Sequence, residues 1–284
     1  MFGRERVEYK GPDEMRTMRR AGVVVADALD AVVAAAAPGV TTAGLDAVAA
    51  RVIAGAGATP SFLGYLGYPA TVCVSVNDEV VHGIPGERVL ADGDVLSVDC
   101  GAVVDGWHGD SARTVVVGTG DAGDEELVRT GEAAMWAGIA ALARGLAAGE
   151  RLDVVGEAVE TEVERAQAAG LNGGRAYGIV EEYVGHGIGS AMHQPPDVLN
   201  YRARGRSMRL RPGMCLAVEP MLVRGERFTR TLDDEWTVVT EDGSRAVHWE
   251  HTVALHEGGA WVLTARDGGA ERLGALGVTV APLA

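Results

Sequence analysis

The sequence predicts a mixed α+β protein made of two similar halves, and three observations carry that expectation. Helical patterning over 12–37 and 42–57 gives way to short β-branched runs over 70–118. The same order, two helices and then strands, returns over 124–262. Gly39 and Gly149, which follow the first helix of each cycle, stand 110 residues apart, an offset consistent with two halves although side-chain identity does not establish a duplication.

Each element has a local cause. Pro12 suits the first turn of a helix, Asp13 and Glu14 favour its dipole, and Pro38-Gly39 stops it. Thr42 reads as the N-cap of a second helix whose stripe is Leu45, Val48, Val52 and Ile53, closed by Gly55 and Gly57. Over 70–118 the pairs Asp92-Gly93 and Asp105-Gly106 mark turns between strands. Helices are expected again over 124–147 and 152–169, separated by Gly149, with Asn172-Gly173 ending the second. Strand-like runs follow from Tyr177 to Val262. One domain covers 1–284, with halves at about 12–118 and 124–262 and a Gly/Ala-rich tail, 263–284, expected to be loosely held.

Composition narrows the functions. A chain of 284 residues, 47% apolar and 23% charged, can bury one sizeable core. Asp27 and Asp30 interrupt the longest early apolar stretch, so no membrane span is expected, and residues 1–10 lead into no secretory h-region. The expected location is the cytoplasm. Cys73, Cys100 and Cys215 suit reduced thiols rather than disulfides or a zinc knuckle, and Cys73 reads as packing rather than a nucleophile. Forty acidic against 25 basic residues, a net charge of −15, repel nucleic acid and anionic lipid. Lys10 is the single lysine, which removes phosphate-loop and Schiff-base chemistry from mid-chain.

The motifs of zinc proteases with two histidines on one helix, of serine hydrolases and of dinucleotide folds are absent. What remains is a set of carboxylates and histidines within apolar strands. If a two-residue turn at Asp105-Gly106 pairs Val104 with Trp107, Asp99 faces Ala112 and Asp110 is its diagonal neighbour on the same face. Two such carboxylates require a proton or a cation between them. His186 between glycines, Glu219 before Pro220 and Glu250 before His251 complete an oxygen-rich set suited to Mn²⁺, Fe²⁺, Co²⁺ or Zn²⁺. Two divalent ions would balance four negative charges.

The blocks VNDEVVHGIP (76–85), 99–110, GHGIG (185–189), VEPM (218–221) and WEHT (249–252) resemble those of type I methionine aminopeptidases, in order, from about Val7 to Val262. The 33-residue step from His186 to Glu219 leaves no room for the insertion typical of type II enzymes. The resemblance implies a pita-bread fold around two divalent ions. It implies that Asp110 and Glu250 bridge them, that Asp99 completes one and that His186 and Glu219 complete the other. It makes Glu219 the acceptor of the water proton and places His82 and His193 around the scissile amide. It lines a methionine pocket with Phe62, Tyr65, Tyr68, Cys73, Met192 and Trp236. Phe62 stands where a small residue is usual, Met192 where an aromatic is common and Gln194 where many relatives have glutamate.

The implied activity is removal of the initiator methionine from nascent polypeptides, chiefly before a small second residue, by a monomer. One alternative is an Xaa-Pro aminopeptidase of the same fold, which usually carries an amino-terminal domain, whereas only 98 residues precede Asp99. The other is a non-catalytic binding module, which should have lost ligands. His108, His248 and His251 flank proposed ligands and read as supports, and His256 reads as a surface residue. Eight arginines and two glutamates lie between Tyr201 and Arg230, so segment 202–230 is either a solvated face or a contact to ribosomal RNA.

Overall fold

A computed structural model describes residues 6–205 and 207–283. Arg206, part of the basic segment, lies outside the described residues.

The first half holds helices α1 (Pro12–Ala35) and α2 (Thr42–Gly55) and strands β1 (Thr59–Pro60), β2 (Cys73–Val76), β3 (Glu79–Val81), β4 (Val95–Val104) and β5 (Trp107–Val116). Pro12 opens α1, and the Glu14 carboxylate accepts from Gly11 N at 2.5 Å. The cap of α2 is Thr41, not Thr42. Thr41 Oγ1 accepts from Gly44 N at 3.1 Å, while Thr42 Oγ1 turns inward to donate to Gly86 O and accept from Gly86 N. Strands β4 and β5 form an unbroken hairpin with Val104 opposite Trp107 and Asp99 opposite Ala112, the expected register. Asp105 and Gly106, at φ 48° and 81°, supply the two positive φ values of a tight hairpin turn. Helix α1 lies across this hairpin and buries Val25, Leu29 and Val32 with Val98 and Cys100.

The second half holds α3 (Ala122–Ala148), α4 (Val154–Ala168), β6 (Gly178–Ile179), β7 (Gly185–Gly187), β8 (Gln194–Val198), β9 (Cys215–Val218), β10 (Met221–Val223), β11 (Thr229–Thr231), β12 (Val238–Thr240), β13 (Ala246–His248), β14 (His251–His256) and β15 (Gly259–Val262), then α5 (Ala270–Ala275). Asp121 caps α3 by accepting from Gly123 N and Asp124 N at 2.7 and 2.9 Å, so this helix starts before the expected 124. Helix α4 starts later than expected, because Leu152 N is spent on Met208 O at 2.9 Å.

The main sheet of the first half has the order β1-β4-β2 with β5 beside β4, and that of the second runs β15-β14-β9-β7-β8. They meet where Glu250 N donates to Ala112 O at 3.0 Å and Asp110 N donates to Thr252 Oγ1 at 3.1 Å. The expected helix-pair-and-sheet cycle therefore occurs twice, with a separate apolar core under each helix pair.

The expectation of a loose tail fails. Arg19 donates to the carbonyls of Leu263, Ala265 and Arg266, and Arg266 pairs with Asp27 and Asp30 at 2.6 and 2.8 Å. Leu273 is fully buried. His256 is not a plain surface residue, since its Nε2 donates to Ala281 O at 2.8 Å. A Gly/Ala-rich composition conceals the contacts of residues 263–266 because their partners Arg19, Asp27 and Asp30 lie on α1. No helix among the described residues is long and apolar enough to cross a membrane.

Candidate metal centre

Strand alternation aims Asp99 and Asp110 from adjacent strands toward the seam between the halves, and the ends of β9 and β13 bring Glu219 and Glu250 to the same place. One oxygen each of Asp110 and Glu250 and one nitrogen of His186 lie within 4.8 Å of one another. Asp99 and Glu219 share the cavity these three line.

Electrostatics make this cluster unsatisfied as it stands. Asp99 Oδ1, Asp110 Oδ1, Glu219 Oε1 and Glu250 Oε1 are out of solvent and have no hydrogen-bond partner among the described residues. Burial pushes Asp110 up to about 7, and burial with mutual repulsion pushes Asp99, Glu219 and Glu250 well above the usual carboxylate range. His186 is driven down to about 3 by burial, so it is neutral, and its Nδ1 donates to Gly187 O at 3.0 Å. Nε2 therefore carries a lone pair, yet it sits 3.4 Å from Glu219 Oε1. Lone pair against carboxylate is repulsive unless a proton or a cation lies between them, and the oxygen and imidazole donors gathered here fit a divalent metal.

The sequence-expected substrate residues gather at the same cavity, of about 180 Å³, lined by Phe62, Tyr65, Tyr68, Cys73, His82, Met192, His193 and Trp236. Leu66 and Val81 also line it. Nothing in the sequence marked Leu66, which reaches the cavity through a turn, whereas Val81 lies inside the 76–85 block next to His82. Tyr68 is buried, and its hydroxyl donates to Val72 O and Gly83 O at 3.2 and 2.9 Å. Its ring meets those of Phe62 and Trp236 in edge-to-face arrangements. Cys73 is buried, and burial raises its thiol well above the ordinary range, which suits packing.

His193 packs edge to face on His186 with centroids 4.4 Å apart, and its Nδ1 is 2.8 Å from the Tyr65 hydroxyl. His82 stands against Tyr183 and Trp236, with a left-handed φ of 61°. A histidine retained there costs on the order of 1–3 kcal/mol, a strain characteristic of functional positions. Burial lowers His193 and brings His82 down to about 4, so both are neutral near pH 7. Of the supporting histidines, two face hydroxyl groups and the third stands beside a proposed metal donor. His108 Nδ1 is 2.9 Å from Ser61 Oγ, His251 Nδ1 is 2.8 Å from Thr264 Oγ1, and His248 Nε2 lies 3.6 Å from Glu219 Oε2.

The basic segment is partly neutralised. Arg202 pairs with Glu160 and Glu164, Arg224 with Asp121 and Asp124, and Arg227 with Glu181 and Glu182. The side chains of Arg204, Arg211 and Arg230 have no partner among the described residues.

Carboxylates and an imidazole converging between two α/β halves define a metal-dependent hydrolase, and the chain belongs to metallopeptidase family M24, whose model matches residues 16–257. Among curated relatives, methionine aminopeptidase 1 of Mycobacterium tuberculosis is 52% identical over 92% of this chain and 96% of that protein. A solved methionine aminopeptidase from Thermotoga maritima superposes with a TM-score of 0.85 at 37% identity, covering 92% of this chain and all of that one. The Pyrococcus furiosus prolidase, at 20% identity and a TM-score of 0.67, covers 90% of this chain but 65% of its own length, and shows the fold alone. The architecture is the pita-bread fold, and the sequence resemblance to type I methionine aminopeptidases holds.

Proposed function

We infer that this protein is a metal-dependent aminopeptidase that hydrolyses the first peptide bond of chains beginning with methionine. The observation that carries the reading is the set of four buried, partnerless carboxylate oxygens beside a small cavity lined by apolar side chains and two neutral histidines. Asp110 and Glu250 would be shared between two ions, with Asp99 on one and His186 and Glu219 on the other. When bound, such ions supply Lewis acidity to water and to the scissile carbonyl.

The chain's own groups do the rest. Glu219 accepts the proton of the attacking water and returns it to the leaving amine. The Tyr65 hydroxyl occupies His193 Nδ1, which leaves Nε2 for the substrate. His82, clamped between Tyr183 and Trp236, offers a second neutral imidazole at the scissile amide. Phe62, Tyr68, Cys73, Met192 and Trp236 enclose the thioether, for which sulfur–aromatic contact is favourable. The narrow cavity supports selection of a free amino terminus followed by a small residue.

In this reading the protein works as a cytoplasmic monomer on nascent chains, and Arg204, Arg211 and Arg230 supply the contact of segment 202–230 with ribosomal RNA. Changing these three to Glu should weaken salt-sensitive co-sedimentation with ribosomes, and unchanged sedimentation removes the contact. The activity is tested by incubating protein loaded with Mn²⁺, Co²⁺, Fe²⁺ or Zn²⁺ with Met-Ala-Ser and Ala-Pro peptides. Methionine release with no cleavage before proline is expected. Preference for Ala-Pro would instead favour the proline-specific alternative, and failure to bind any divalent ion would leave a non-catalytic module.

A further inference from the structure

The chain's single lysine is buried, and the function proposed above makes no use of it. The Lys10 side chain is 2% exposed, and its ammonium meets Glu8 O at 2.9 Å, Gln194 Oε1 at 3.2 Å and Glu8 Oε2 at 3.4 Å. A cation taken this far from water requires such acceptors. The same Glu8 carboxylate accepts from Ser190 N at 3.0 Å, Ser190 Oγ at 2.5 Å and Gln194 Nε2 at 2.8 Å. Gln194 thus uses both ends of its amide, oxygen toward the lysine and nitrogen toward the glutamate. Burial opposes ionisation of Glu8, but the hydrogen bonds from Ser190 and Gln194 outweigh it and hold the carboxyl at about 2.

The arrangement is closely built. A Cβ on Gly189 would come within 2.2 Å of Glu8 Oε2 and 2.3 Å of Lys10 Cε, so only glycine lets the amino-terminal strap approach. The strap is itself tied down, since Lys10 N donates to Gly213 O at 2.7 Å. Ser190 and Gln194, the two residues gripped, bracket the turn that carries His193, whose imidazole packs against His186.

We propose that Glu8 and Lys10 are positioning residues that set the His193 imidazole by holding segment 190–194 at both ends. The proposal rests on the reading of His193 as a substrate contact. It also accounts for the glutamine at 194, since a glutamate there would set carboxylate against carboxylate at Glu8 and leave the lysine alone to hold both.

A charge-exchange cycle tests this on the manganese-loaded enzyme with Met-Ala-Ser, with the His193 imidazole followed by NMR in the metal-free protein. Gln194→Glu should lower kcat tenfold or more, roughly what a misplaced catalytic contact costs, with KM nearly unchanged and the His193 signals broadened. Lys10→Met, which keeps the aliphatic stem, should act in the same direction. The double variant Glu8→Gln/Gln194→Glu should recover most of kcat and the narrow signals, because amide and carboxylate exchange places and Lys10 keeps its acceptor. Single variants with wild-type kcat, a lowered melting temperature alone, or a double variant no better than Gln194→Glu would overturn the proposal. A wild-type holoenzyme that releases no methionine would overturn the functional reading beneath it.

Discussion

The two halves bring their candidate ligands to the seam by different means. In the first, Asp99 and Asp110 stand on one long hairpin whose ladder runs without a break from Val95–Val116 to Val104–Trp107. In the second, His186 lies on a three-residue strand with a register shift between Gly185 and Gly187, and Glu219 and Glu250 sit just past strand ends. A Cβ on Gly187 would meet Pro195 O at 2.3 Å, so β7 fits between its neighbours only because it is stripped of side chain there. A regular ladder positions groups by alternation alone. The irregular half relies on close backbone approach, where small changes travel directly to the site.

The largest effect expected is loss of turnover on removing a shared ligand from either half. Asp110→Ala and Glu250→Ala should each reduce kcat on Met-Ala-Ser by about a hundredfold to a thousandfold, the range for losing a principal electrostatic contact. Neither should lower the melting temperature of the metal-free protein, because each deletes a buried carboxyl oxygen that has no hydrogen-bond partner. Activity close to wild type in only one of the two would break the symmetry between the halves.

Next in size is the dependence of metal-free stability on pH. Asp110 rises from 3.8 to about 7 on folding, and Asp99, Glu219 and Glu250 shift in the same direction. The folded state then holds more protons than the unfolded one in this window, so stability falls as pH climbs from about 4 to about 7. Thermal melts should show that decline without metal, and saturating Mn²⁺ should abolish or reverse it, since metal binds the ionised carboxylates. A flat metal-free profile would contradict the crowding of charge at the seam.

The smallest effect sharpens the comparison. On α1, a Cβ at Gly22 would meet Leu263 O at 2.3 Å, and Gly22 does not line the cavity. Gly22→Ala should destabilise by about 1–3 kcal/mol through overpacking, with kcat unchanged below the melting transition. Gly187→Ala should cost similar stability and also lower kcat. Equal kinetic losses would show that the regular half is no better insulated than the irregular one.

How much was legible follows from how local each cause is. The hairpin register, and with it the shared face of Asp99 and Asp110, follows from the Asp105-Gly106 turn and strand alternation. The cap of α2 was misread by one position because the choice between Thr41 and Thr42 depends on Gly86, 44 residues from Thr42. The anchored tail was missed because Arg19 reaches the carbonyls after Val262, and no composition records such a pairing. Leu66 carries no motif and enters the cavity through the path of the chain.

By itself the sequence determined the two helix-and-strand cycles, the hairpin that aligns two aspartates, and the residue types able to hold metal. Their cause is periodicity and turn chemistry within a few neighbouring residues. Only the tertiary structure decided that four carboxylate oxygens lose both water and hydrogen-bond partners, that His186 faces Glu219 with a lone pair, and that Lys10 grips the His193 turn. Desolvation and the pairing of distant groups are properties of the closed seam, and no single segment carries them.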